Sequence, residues 1–133
     1  MAEYTFGIQS IIDTDILRIL VDKLVDEKEE EILVLILRLI NILLEGEMAT
    51  DLVLSTPVLA RLNGYLKAKN WQIRKLSAEN LGSISYHIMG KIATIDAGSI
   101  QPLSEMLGDE IFEVRAAAIR ALASLAQLKE GKI

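Results

Sequence analysis

Apolar positions in this chain recur at helical spacing, and the pattern itself is written more than once. Leu59, Leu62 and Leu66 run i, i+3, i+7, and after a break at Lys69-Asn70 a second stripe passes through Ile73, Leu76, Ser77, Leu81 and Ile84. Both stripes return 41 positions later, the first as Ile100, Leu103 and Leu107, the second as Val114, Leu122 and Leu125. Upstream, Leu17, Leu20 and Leu24 precede the first stripe by 42, whereas Ile32, Ile40 and Leu43 precede the second by 41. The one-residue slip falls in the acidic run Asp26 to Glu31. Each unit therefore predicts two helices, with Asn70 as N-cap of the longer one and Asp109 or Glu110 doing similar work in the last unit. A shorter helix is expected ahead of each pair, over 47–54 and 87–94, closed by turn signals at Ser55-Thr56-Pro57 and Asp96-Ala97-Gly98.

A period near 41 residues with two or three helices is the size class of armadillo and HEAT repeats. Of the two, armadillo repeats are the better match: Ala97 to Leu107 resembles their second helix and Glu113 to Leu122 their third, a pattern that Ser77 to Ile84 repeats. The expected fold is all-α, a right-handed α-α superhelix (an armadillo/HEAT-like solenoid) of about three repeats, near 13–55, 56–96 and 97–133. They form a single domain over 1–133, read as a fragment of a longer solenoid. Neither end carries the polar face that terminal repeats need, so an exposed apolar end is expected.

Composition narrows the function. The chain is 51% hydrophobic but only 5% aromatic, so its core must be aliphatic, which suits helix on helix. A net charge of −5 argues against nucleic acid, whose binders need clustered cations. With no cysteine and one histidine, His87, neither thiolate nor His-cluster metal sites can form, and no cofactor is expected. His87 itself reads as a helix-terminal residue. No phosphate-loop or dinucleotide glycine motif occurs, no serine sits in a nucleophile elbow, and the glycines read as helix ends. The acidic run lacks the order and glycine of a calcium loop. The start of the chain shows no secretory signal, and the apolar stretch Ile32 to Leu44, which holds Arg38 and Asn41, is too short to cross a membrane. A non-enzymatic, cytoplasmic protein-interaction scaffold is the expectation, with other proteins as partners.

Two surfaces follow from the register. Arg38, Glu79 and Arg120 are 41 apart and should stack as a ladder along a groove formed by the long helices. Lys75, Ser83, Tyr86 and Ser124 belong to the same partner groove, and Glu31, Gln72, Glu113, Glu45 and Gln127 are adjacent by spacing. The Trp and Asn four residues apart that armadillo proteins resembling nuclear-import receptors use to clamp a basic peptide are absent: those positions are Arg38 and Ile42, Glu79 and Ser83, Arg120 and Ser124. The second surface is the stretch Ile32 to Leu44. It is apolar almost all round, so two neighbours should cover it: in an intact solenoid the preceding repeat, and in this chain the segment Tyr4 to Ile12 or a second copy docking on Val34, Leu35 and Ile42 as a homodimer through exposed solenoid ends.

The order Asp15 to Leu24, the acidic run, Asn70 to Lys75, Ser83-Ile84-Ser85 and a Gly-Lys pair six residues on, with Glu130-Gly131-Lys132 at the close, resembles the armadillo-repeat radial spoke proteins of motile cilia and flagella. That resemblance implies a scaffold of the axoneme.

Overall fold

The computed structural model describes residues 2–45 and 47–127, with the side chains of 12, 15–45 and 51–127. Eight α-helices and a 3-10 turn follow one another, with no strand among the described residues: α1 (Ala2–Asp26), α2 (Glu30–Leu43), α3 (Glu47–Leu54), α4 (Val58–Tyr65), α5 (Trp71–Ile84), α6 (Ile88–Asp96), α7 (Ile100–Glu105), the turn Met106–Gly108, and α8 (Phe112–Ala126). The long helices α2, α5 and α8 begin at 30, 71 and 112, a spacing of 41 each time. They lie side by side, α5 packing most extensively on α8 and next on α2. The remaining helices, α1 with its 25 residues and the shorter α3, α4, α6 and α7, form the other layer, and the arrangement is an α-α solenoid.

Local chemistry sets the boundaries. Asn70 caps α5 as expected, its side chain accepting from the Gln72 N–H at 2.9 Å. Asp109 acts three residues ahead of α8, accepting from Ile111 N–H at 2.9 Å, while Ile111 holds the cap position itself. Helix α6 ends in a Schellman motif: Gly98 N–H reaches Ile95 O and Ser99 N–H reaches Thr94 O, which requires the left-handed φ of 80° that Gly98 supplies. Gly90 departs from the helix-end reading. It lies inside α6, where a Cβ would run into the Ile84 carbonyl at the end of α5, so it marks a close backbone crossing.

The core is continuous and aliphatic, from Leu17, Val21 and Leu24 of α1 through Leu37 and Ile40 of α2 to Ile73, Leu81 and Ile84 of α5 and Leu103, Val114 and Ala118. Full burial of each such Leu, Ile or Val side chain is worth roughly 1.5–3 kcal/mol before the conformational entropy lost on fixing it is set against that gain.

The expectation that α2 is covered nearly all round is corrected. Its buried residues, Leu33, Val34, Ile36, Leu37 and Ile40, occupy one side only. Ile32, Leu35, Leu39 and Ile42, spaced i, i+3, i+7, i+10, remain exposed. Val34 is 6% exposed, so it belongs to the core and not to a docking face, whereas Leu35 and Ile42 are 56% and 63% exposed. The reason is register: Val34 falls on the side of α2 that carries Leu37, facing inward. Of the segment Tyr4 to Ile12, the side chains of 4–11 lie outside the described residues, and Ile12 is exposed.

Candidate functional site

The C-terminal halves of α2, α5 and α8 line a groove of about 510 Å³. Because the helices repeat in register, equivalent positions arrive side by side: Asn41 beside Gly82, Glu45 beside Tyr86, Glu79 beside Arg120 and Ser83 beside Ser124, all lining residues. Leu44, Ala78, Ala117 and Ala121 form its apolar floor, each buried, and His87 stands at one side.

Five of the seven groove residues expected from sequence, Glu79, Ser83, Tyr86, Arg120 and Ser124, are thus brought together. Lys75 and Arg38 lie outside the lining. Lys75 sits one turn before Glu79 and pairs with it at 3.8 Å. Arg38 is exposed on the same helix row as Glu79 and Arg120. The ladder is therefore broken in its middle: the ion pair that Glu79 makes is with its own helix, and among the described residues it forms none with Arg120 or Arg38. Partial neutralisation of Glu79 leaves the exposed guanidinium of Arg120 as the cation lining the groove, with Arg38 exposed outside the lining.

Polar groups hold the walls. Ser83 Oγ donates to Asn41 Oδ1 at 3.2 Å, joining α5 to α2 across the groove floor. Tyr86 is 55% exposed and meets the His87 ring edge-on, with centroids 5.4 Å apart. His87 occupies the N-cap position of α6 without a side-chain cap bond. At the far end Lys91, 4% exposed, donates to the carbonyls of Ser85 and Ser124. A cation is thereby placed where α5 and α8 both end and both present carbonyl oxygens, the favourable pole of each helix. Sequence reasoning missed Asn41, Gly82 and Lys91. The first two could have been found, since they are 41 apart and one turn from Arg38 and Glu79; nothing in the periodicity marks Lys91 as buried.

Electrostatics outside the groove are organised by one clasp. Arg74 of α5 donates from Nε and Nη2 to the carboxylate of Asp109 at 2.8 and 3.1 Å, and from Nη1 to the carbonyls of Ala68 and Lys69. Burial alone would raise the Asp109 carboxyl, but hydrogen bonds from Arg74 and the Ile111 N–H prevail and hold it below its ordinary 3.8.

With this geometry in view, the comparisons with known proteins are consistent. The HEAT repeat family matches residues 100–128, the stretch of α7, the 3-10 turn and α8. It matches a two-helix unit and leaves out α6, whereas the sequence favoured the armadillo form of the same architecture. Three crystal structures of engineered proteins are similar in fold: one with TM-score 0.81 at 24% identity over 89% of this chain, one with 0.79 at 23% over 88%, and one with 0.79 at 24% over 87%. The chain spans 48%, 29% and 48% of their lengths. No curated protein matches. The fold is that of HEAT/armadillo-like repeat proteins. No helix among the described residues is long and apolar enough to cross a membrane.

Proposed function

We propose that this chain is a non-enzymatic scaffold whose groove over α2, α5 and α8 binds an extended segment of another protein. The observation that carries this reading is the convergence of Glu79, Ser83, Tyr86, Arg120 and Ser124 on one groove with an apolar floor and polar walls. Ser83, Asn41 and Ser124 would bond the peptide backbone, the alanines would take small apolar side chains, and Arg120 would pair with a carboxylate of the segment. Repeat boundaries near 56 and 97 fit this use, since each long helix then contributes one row of the groove.

Selection from a random peptide library displayed on phage tests the reading. Enrichment of segments carrying an acidic residue is expected, with binding reduced roughly tenfold or more by Arg120→Ala while helicity is unchanged. Peptides that bind Arg120→Ala equally well, or no enrichment at all, would refute the groove assignment. The axonemal role implied by the radial-spoke resemblance rests on residue order alone; a tagged chain absent from isolated axonemes would end it.

A further inference from the structure

The exposed stripe on α2 has the same register as two stripes that are buried elsewhere. Ile32, Leu35 and Leu39 are followed at intervals of 41 by Ile73, Leu76 and Asn80 in α5 and by Val114, Ala117 and Ala121 in α8. All six of those later residues are buried, at most 5% exposed. In α5 this face meets the helix before it, through Ser83 and Asn41; in α8 it meets α5, where a methyl added at Gly82 would lie 3.3 Å from the Cα of Ala121. The α2 stripe is therefore an inter-repeat face whose predecessor is not among the described residues. The opposite end mirrors it: Leu37 and Ala78, both fully buried, face the following helix, and the next member of that row, Ile119, is 57% exposed beside Phe112 at 67%.

Charge at the two ends is complementary in the same register. Within the chain, Arg74 anchors its Nη1 on the Ala68 carbonyl and grips Asp109, the carboxylate ahead of the next long helix. Arg115, 41 residues on, repeats the anchor on the Asp109 carbonyl at 2.7 Å, and no ion pair joins it to a carboxylate among the described residues. The position equivalent to Asp109 before α2 is Glu27, 82 residues earlier. It holds the same loop bond, accepting from the Glu29 N–H at 3.0 Å as Asp109 accepts from Ile111. So one end offers an arginine and the other a carboxylate in the loop position of the internal clasp, and that carboxylate is already paired with Lys23 of α1 at 3.1 Å, so Arg115 of a neighbouring copy would share it with Lys23.

We propose that copies of this chain stack head to tail, α8 of one on α2 of the next, in the register of the internal α5 and α8 contact. Phe112 and Ile119 then cover Leu35 and Leu39, and Arg115 closes on Glu27 of the following copy. Such a contact is heterologous, so it leaves a free end at every step and grows into an open superhelix. This differs from a homodimer through Leu35 and Ile42, which would close at two copies.

Solution mass of the full chain by multi-angle scattering, over roughly a hundredfold concentration range, reads the difference. The wild type should pass beyond dimer as concentration rises. Leu35→Glu and Ile119→Glu, both at exposed positions and checked for unchanged helicity, should each be monomeric alone, yet their mixture should form dimers and stop there, because each retains one working end. Glu27→Arg or Arg115→Glu should raise the concentration for half-assembly roughly three- to tenfold, and the two together in one chain should restore it. A wild type that stays monomeric, a dimer indifferent to Ile119→Glu, or a mixture that does not associate would each overturn the proposal.

Discussion

The two junctions between long helices are built from different materials although they occupy the same register. Between α5 and α8 the backbones come close, with Gly82 against Ala121 and Ala117 and Ala118 buried alongside, and the junction is locked at one end by the Arg74 and Asp109 clasp and at the other by Lys91. Between α2 and α5 the equivalent places hold Asn41 where Gly82 would be and Asn80 where Ala121 would be, and Leu33 stands in place of the clasp arginine. That junction is linked instead by Ser83 to Asn41 and by Asn70 to Glu30, at 3.2 and 3.4 Å. A solenoid is stabilised by nearest-neighbour interfaces, so the difference teaches where the chain should be strong: the small-residue junction is the tighter one and the polar junction the more tolerant.

The largest test exchanges volume at matched positions. Gly82→Leu must force α5 away from α8, and is expected to lower stability by about 1–2 kcal/mol even after the helix-propensity gain of about 0.8 kcal/mol. Asn41→Leu, at the same place in the other junction, should fall within about 0.5 kcal/mol of neutral. Urea unfolding followed by circular dichroism measures both; equal losses would erase the distinction between the junctions.

The clasp gives the next effect. Arg74 and Asp109 are 16% and 12% exposed, so their hydrogen bonds are shielded, and Asp109→Asn should cost about 1–2 kcal/mol near neutral pH. The sign with pH follows from the lowered carboxyl. Its stabilising contribution is fully present above the ordinary value of 3.8 and is lost as pH falls through the lower folded value. Stability measured across that acid window should therefore decline more steeply in the wild type than in Asp109→Asn, and parallel curves would show that the clasp contributes nothing.

How much of this was legible beforehand varies by residue. The helices and their 41-residue register were, because Leu, Ile and Val at helical spacing recur with few interruptions, and the groove followed because register alone brings Glu79 to Arg120 and Ser83 to Ser124. Val34 was misplaced because α2 is apolar on nearly every side, so periodicity could not say which side faces inward. Lys91 and the clasp were invisible for a different reason: both depend on where helix ends converge, and a 3.6-residue period carries no information about that. Gly90 and Gly98 look alike in sequence, yet one serves a backbone crossing and the other a left-handed turn.

The smallest effect runs the other way and sharpens the comparison most. Asn80 is fully buried, and neither its amide nitrogen nor its carbonyl oxygen makes a hydrogen bond. It holds the position that Ala121 holds in the tighter junction, so a polar side chain stands where the neighbouring repeat shows an apolar one suffices. An unpaired buried polar group costs about 1–3 kcal/mol, so removing both groups together with little change of volume should be neutral to stabilising. Asn80→Leu is expected to raise the urea midpoint by the equivalent of about 1 kcal/mol with an unchanged slope. A rise would mean the α2 and α5 junction is loosened by its own polar seam and can be tightened toward its neighbour. A fall of similar size would mean that Asn80 is bonded in solution and that the polar junction is held together by it.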